Sequence, residues 1–224
     1  PVNIFSQTTP VQATIGGNIA VDDKGRYHVT WGIRSYEYGV YSQLGYIRSA
    51  DQGLTWSVPL ELAASTTAPG VDVVKVFAFG DDEVHLTWDQ PERLHQWSSD
   101  GGDTWSQPVV IISLGAAFGG NNQLAKDSAG VLHAVTAVGD GVYHSVWNGS
   151  NWGSSLAIDR RFIDPHHQQL VACQENRLHV VYDDRRGENE IWYATRTVDA
   201  PYIAASPIPQ PVSDLLPTAI PSST

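Results

Sequence analysis

The same strand pattern occurs four times along this chain of 224 residues. The segments GRYHVTW, DEVHLTW, GVLHAVT and NRLHVVY place a histidine at the same point of an alternating run of residues. These four histidines are His28, His85, His133 and His179. Each run follows a short strand that ends in a turn and precedes an aromatic strand. A repeated unit of this kind constrains the architecture strongly, because a single copy cannot bury its own apolar face.

The repeated runs alternate with a period of two, and Gly, Asp and Asn turns separate them, which favours antiparallel meanders over helices. A four-stranded meander of about 40–50 residues has the size of a propeller blade. We therefore predict an all-β fold, a β-propeller of about four four-stranded antiparallel blades over residues 1–205. The four blades could form a closed ring or an arc of a larger propeller. Residues 206–224 are predicted to be a Pro/Ser/Thr-rich linker or tail.

The beginning of the chain resembles the outer strand of a blade. The segment PVNIFS, residues 1–6, lines up with VPLELA and QPVVII, which follow the third strands of the first two repeats. Residues 1–8 are therefore predicted to pair with IWYATR in the last blade and to close the ring. Alternatively, YIAASPIP at 202–209 completes that blade. The chain contains no methionine, which predicts that it is a processed or excised piece of a longer protein.

Composition excludes several classes of partner. Thirteen Lys and Arg against 24 Asp and Glu give a formal net charge of −11, which repels nucleic acid. No apolar run reaches the roughly 20 residues that cross a bilayer, so no membrane insertion is expected. The single cysteine, Cys173, allows no internal disulfide and is expected to pack as a small apolar residue. No cofactor is predicted.

Two segments of identical pattern follow the third strands of the first two repeats. SADQGLTW and SSDGGDTW both fit S-x-D-x-G-x-T-W and resemble the Asp-box, or BNR repeat, of sialidase-like β-propellers. The resemblance implies a turn-stabilising role on the rim opposite the ligand site. Its residues are Ser49, Asp51, Gly53, Thr55, Trp56, Ser98, Asp100, Gly102, Thr104 and Trp105. WNGSNW at 147–152 and TRTVDAP at 195–201 look like degenerate copies.

In a propeller, ligands meet the loops between blades and the loops between second and third strands. Arginines there suit a carboxylated sugar, and strand-end aromatic rings suit stacking on a pyranose. The ligand-binding candidates are Trp31, Arg34, Trp88, Asp89, Arg93, Arg161, Asp164, His166, His167, Tyr182, Asp183 and Arg186. The alternative is that the aromatic residues cap the core and the charged residues neutralise one another in solvent.

A metal site formed by His166, His167 and Asp183 is a further alternative. Adjacent histidines on an extended segment point to opposite faces, which makes shared ligation awkward. No metal is therefore predicted.

Three functions are compatible with these features. The favoured one is a secreted, lectin-like propeller of the sialidase superfamily that recognises glycans, acidic ones in particular.

The first alternative is a sialidase-type exo-glycosidase. The resemblance implies that such an enzyme needs three arginines, a Tyr/Glu nucleophile pair and an Asp acid/base. The Arg-Ile-Pro stretch that carries the first arginine is absent, so no catalytic residue is assigned and a non-enzymatic role is preferred. The second alternative is a structural or protein-binding module of an exported multidomain protein.

Overall fold

The fold is all-β, as predicted. The structure, a computed structural model, describes residues 3–6, 12–35, 41–66, 70–90, 92–112, 122–138, 141–160, 165–173, 177–184 and 190–199. Within these ranges the chain forms fifteen β-strands and no helix. The strands pair into four antiparallel sheets, each built from consecutive strands, and these sheets are the blades of a β-propeller.

The first two blades have four strands each. The first contains β1 (Gln12–Val21), β2 (Tyr27–Ser35), β3 (Tyr41–Ser49) and β4 (Leu60–Ser65). The second contains β5 (Asp72–Phe79), β6 (Glu83–Gln90), β7 (Glu92–Ser98) and β8 (Val109–Ile112). In both sheets the strands are paired in chain order, so each blade is the meander that the repeat predicts.

The third blade repeats this arrangement, and the fourth is shorter within the described part of the chain. The third contains β9 (Asn122–Lys126), β10 (Leu132–Val138), β11 (Gly141–Val146) and β12 (Leu156–Asp159). The fourth contains β13 (Pro165–Cys173), β14 (Arg177–Asp184) and β15 (Ile191–Thr197). Residues 200–224, which include the predicted tail and YIAASPIP, lie outside the described residues.

The core consists of layers between consecutive blades. Leu44 of the first blade packs in one apolar cluster with Val76 and Trp88 of the second. Val135 of the third blade shares another cluster with Val180 of the fourth. The inner strands β1, β5, β9 and β13 contact one another in that order. Among the described residues, the first and fourth sheets make no contact of this extent.

The N-terminal segment lies against the first blade. Ile4 and Phe5 pack against the cluster that contains Trp31, and the ring centroids of Phe5 and Trp31 are 4.6 Å apart. In the same way, Leu62 of the outer strand β4 packs on the cluster around Trp88 in the following blade. Residues 3–6 are not in a strand, and residues 1, 2, 7 and 8 lie outside the described ranges. Pairing of this segment with β15 stays a prediction.

None of the described residues belongs to a helix long and apolar enough to span a membrane.

Candidate functional site

At one rim of the propeller, the inner strand of each blade begins and the second strand ends. Antiparallel strands reverse direction at each turn, so these two sets of residues meet at the same edge. In the second blade, Asp72 at the start of β5 is paired with Asp89 near the end of β6, and Asp89 is paired with Arg93 on β7. We call this edge the mouth.

An ion pair joins the first two blades at the mouth. Nη2 of Arg34, near the end of β2, lies 2.7 Å from Oδ2 of Asp72 at the start of β5. Both side chains are partly exposed, at 26% and 40%. The pair therefore neutralises one of the arginines for which the sequence predicted a ligand carboxylate.

A buried polar cluster joins the second and third blades. Asp89 Oδ1 lies 3.2 Å from Nε of Arg93 and accepts a hydrogen bond of 3.1 Å from the side-chain amide of Asn122. All three residues are buried. Burial raises the pKa of Asp89 to about 7, although Arg93 and Asn122 oppose this shift. The Asp89 carboxyl can therefore exchange a proton near neutral pH, a property that is common in functional sites.

Two further polar contacts lie on the third and fourth blades. The hydroxyl of Tyr182 donates a hydrogen bond of 3.2 Å to Oδ2 of Asp159, at the end of β12. Nδ1 of His167 lies 3.0 Å from Oδ2 of Asp183, on the neighbouring strand. Together with the two contacts above, the Tyr182 bond links consecutive blades from the first to the fourth.

Three of the four inner strands bulge beside the mouth. The register of β1 shifts between Ile15 and Gly17, that of β5 between Asp72 and Lys75, and that of β13 between His166 and Gln169. Each bulge contains one residue with positive φ: Gly16 at 60°, Val73 at 49° and His167 at 47°. Such a conformation is costly for Val and His, and strain of this kind is concentrated at functional sites.

Gln168 lies in the bulge of β13 and is completely buried. Within the part of the chain that the structure describes, neither its amide nitrogen nor its carbonyl oxygen has a hydrogen-bond partner. The Oδ1 atom of Asn122 is also buried and has no hydrogen-bond partner among the described residues. Sequence reasoning missed both residues, because an amide side chain near a strand start gives no signal before the strands are assembled.

The structure corrects three of the predicted contacts. Trp31 is 6% exposed, Trp88 0% and Tyr182 3%, so their rings pack between strands and offer no face to a sugar. These aromatic residues cap the core because the alternating pattern that placed them at strand ends also points them inward.

The remaining candidates differ in where the structure places them. Arg34, Asp89, Arg93, His167 and Asp183 lie at the mouth. Arg161, Asp164 and Arg186 lie outside the described residues, as does the side chain of His166. No group of three His, Cys, Asp or Glu side chains that could hold a metal ion occurs in the described ranges.

The repeated box forms the same hydrogen-bonded turn twice, on the opposite rim. Asp100 accepts hydrogen bonds from Ser98 Oγ at 2.7 Å, from Thr104 N at 2.9 Å and from Thr104 Oγ1 at 2.5 Å. Asp51 accepts the equivalent bonds from Ser49 and Thr55. These bonds hold the pKa of both carboxyls below the usual value, that of Asp51 at about 2. The geometry is that of a turn-stabilising motif.

The tryptophan of each box packs differently. Trp56 donates a hydrogen bond of 3.2 Å from its indole nitrogen to the carbonyl oxygen of Gly53, within the first box. The Trp105 ring meets Tyr46 of the preceding blade edge-on, with centroids 4.9 Å apart. The second box therefore also fastens one blade to another.

The repeated histidines are hydrogen-bonded strand residues, as predicted. In the first three blades the ring bonds to an acidic residue and to a side chain on the third strand. These sets are Asp22–His28–Tyr46, Glu83–His85–His95 and Asp127–His133–His144. In the fourth blade, His179 Nδ1 lies 2.7 Å from the hydroxyl of Tyr193. Each third-strand partner lies two residues along its strand from the residue directly opposite the histidine. The sequence alone did not reveal this diagonal contact.

No family model and no curated protein matches this sequence. Solved structures match by fold. An α-L-arabinofuranosidase from Podospora anserina in complex with cellotriose is 14% identical, with a TM-score of 0.52 over 87% of this chain and 66% of that one. An α-L-arabinanase from Penicillium chrysogenum with arabinobiose is 13% identical, with a TM-score of 0.56 over 82% and 64%. A leech intramolecular trans-sialidase with 2,7-anhydro-Neu5Ac is 16% identical, with a TM-score of 0.54 over 79% and 30%.

The chain thus spans less than two thirds of the length of each of these structures. At such low identity the likeness concerns the fold. The class that emerges is a propeller with the fold of sialidases, arabinanases and arabinofuranosidases.

Proposed function

We propose that the chain is a carbohydrate-recognition propeller that binds a glycan at the mouth. The observation that carries this proposal is the partly exposed ion pair of Arg34 with Asp72, which lies beside the buried cluster of Asp89, Arg93 and Asn122. Carboxylate, guanidinium and amide groups held in fixed positions are suited to hydroxyl groups, which both donate and accept hydrogen bonds. Similar folds occur in structures with bound cellotriose and arabinobiose.

The charge at the mouth favours a neutral glycan. Arg34 and Arg93 each lie within ion-pair distance of an aspartate, so a ligand carboxylate would compete with Asp72 and Asp89. A sugar hydroxyl can bind without breaking either pair. An acidic glycan would depend on Arg161 and Arg186, the other two arginines among the ligand-binding candidates.

The two boxes fit the same proposal. Their hydrogen bonds agree with those expected of Asp-boxes in sialidase-like propellers, and they lie on the rim away from the mouth. We infer that the chain is a secreted member of this superfamily in which the boxes are structural.

Glycoside hydrolysis is the second candidate function. Asp89, whose pKa is raised to about 7, is directly paired across the strands with Asp72. A carboxyl with a raised pKa beside a second carboxyl is the combination that glycosidases use as general acid and base or nucleophile. Binding remains the preferred function, because Arg93 and Asn122 already hold Asp89 in a closed network.

The test is a glycan array with neutral and sialylated oligosaccharides, followed by calorimetry on any ligand found. Arg34→Gln should weaken the binding of a neutral ligand by about 10–100-fold, the range for a lost hydrogen bond to a charged group. The control is Asp103→Asn, an exposed residue on the opposite rim. Release of fluorophore from 4-methylumbelliferyl arabinofuranosides or sialosides would favour the hydrolase. If neither binding nor turnover is observed, the binding function and the hydrolase function are both overturned, and the structural module is favoured.

A further inference from the structure

A second groove lies on the rim that carries the boxes, between the second and third blades. It encloses about 660 Å³, within the ~300–1,000 Å³ range typical of small-molecule sites. Three aromatic side chains and several charged ones line it. We define the blade 2/3 groove by Phe79, Asp81, Glu83, Trp97, Lys126 and Trp147.

The groove exists because the third copy of the box is shortened. The turns after the third strands are each closed by a 2.8 Å backbone hydrogen bond. These bonds run from Ser57 to Arg48, from Ser106 to Trp97 and from Gly153 to Val146. Eight residues lie between the bonded positions in the first two turns, and six in the third. The third turn is therefore two residues shorter than the boxes.

The corresponding place between the first and second blades is filled. Gly101 and Gly102 of the second box press against Arg26 and Tyr46 of the first blade so closely that a Cβ on either glycine would overlap them. Gly149, in the shortened turn of the third blade, has no atom within 4 Å of its ideal Cβ position. The space that a complete box occupies between blades 1 and 2 is thus open between blades 2 and 3.

Most of the charged side chains at the blade 2/3 groove are paired, and Asp81 is exposed. Glu83 interacts with His85 at 2.7 Å and with Lys126. Asp82 forms ion pairs with Lys24 at 2.6 Å and with Arg26 at 2.8 Å. Lys126 also lies over the ring of Phe79, 5.7 Å from its centroid. An anionic ligand would have to displace Glu83 from Lys126 and would meet Asp81, whereas a neutral ligand with hydroxyl groups could use the same atoms.

We propose that the blade 2/3 groove is a second carbohydrate site, which binds a neutral sugar unit against Trp97, Trp147 and Phe79. Aromatic rings provide the apolar surface that complements the C–H face of a sugar. Asp81, which is exposed, accepts hydrogen bonds from sugar hydroxyls, and Lys126 donates one. This site is separate from the mouth and does not depend on the function proposed there.

The experiment uses the whole chain labelled with 5-fluorotryptophan. Its ¹⁹F signals are assigned through single Trp→Phe variants and titrated with methyl β-glucopyranoside, methyl β-galactopyranoside, cellobiose and, separately, choline chloride. The expected result is a saturable shift of the Trp97 and Trp147 signals with at least one neutral sugar, while the buried Trp88 signal stays unchanged. Asp89→Asn at the mouth should leave this shift in place.

Ser99→Trp is the blocking variant, because Ser99 is exposed and lines the groove. This variant should weaken the binding of the sugar by about tenfold or more. Ala50→Trp, at the matching position of the first box, is the control for folding and should bind as the parent does. Three outcomes would overturn the proposal: no shift with any sugar, a shift with choline only, or a shift that Ser99→Trp leaves intact.

Discussion

The indole nitrogen of Trp152 donates a hydrogen bond to Nδ1 of His95, 3.2 Å away, and so ties the third blade to the second. His95 is fully buried, its Nε2 lies 2.8 Å from Nδ1 of His85, and its ring is nearly parallel to that of Trp97. Trp105 meets Tyr46 at the equivalent place between the second and first blades. In both places, the tryptophan at the end of a turn packs against a third-strand residue of the preceding blade. That residue is the one that is hydrogen-bonded to the repeated histidine.

This relationship predicts a difference between two matched substitutions. Trp152→Phe removes a hydrogen bond to His95, whereas the Trp105 indole nitrogen has no hydrogen-bond partner in the described part of the chain. Trp152→Phe should therefore cost about 1 kcal/mol more than Trp105→Phe in the free energy of unfolding. Urea unfolding of both variants measures the difference. Equal losses would mean that ring packing alone fastens the blades.

A second prediction concerns the pH dependence of stability. His144 lies 3.0 Å from His133, and burial, together with His133, lowers the pKa of His144 from 6.5 to about 4. Between these values the unfolded chain binds a proton that the folded chain does not, so stability falls as the pH decreases from 6.5 to 4.

Tyr46 occupies the equivalent position in the first blade, which makes His144→Tyr the matched variant. The parent should lose on the order of 2 kcal/mol more than His144→Tyr over this pH range. Urea unfolding at a series of pH values measures both. Parallel stability curves for the two proteins would contradict the prediction.

The third prediction tests the box. Asp100→Ala removes the acceptor of the bonds from Ser98 and Thr104, and the melting temperature should fall by about 2–6 °C. Asp23→Ala, in the exposed turn after β1, is the control and should melt as the parent does. Glycan binding by the folded protein should not change. A variant with the parental melting temperature and no glycan binding would show that the box is part of the ligand site.

The fourth prediction concerns two glycines in the first blade. A Cβ on Gly45 would overlap the indole of Trp31, while Gly17 has open space at that position. Gly45→Ala should cost about 1–3 kcal/mol, because the buried Trp31 ring must move within a packed layer. Gly17→Ala should be close to neutral. Thermal unfolding followed by near-UV circular dichroism compares them, and similar melting temperatures would contradict the packing argument.

The periodicity of the sequence was sufficient to predict the blades. His28, His85, His133 and His179 mark the second strand of each sheet, because a strand that packs between blades needs the same alternation in every copy. The box was predictable for a similar reason. Its hydrogen bonds run between residues two to four positions apart, such as Asp100 and Thr104, so the local sequence contains all the partners.

The ligand-binding candidates were less predictable, because their partners come from other strands and blades. Asp89 gains its raised pKa from burial, and its neighbour Asn122 lies 33 residues away. Trp31 and Trp88 belong to the core, which no local pattern could decide at a strand end.

The sequence by itself therefore determined the repeat, the strands and the turns, since these depend on local contacts and on alternation. Only the tertiary structure decided which polar groups meet at the mouth and that a turn two residues short leaves a groove between the second and third blades. Both depend on how one blade packs against the next, and packing joins residues that are far apart in the chain.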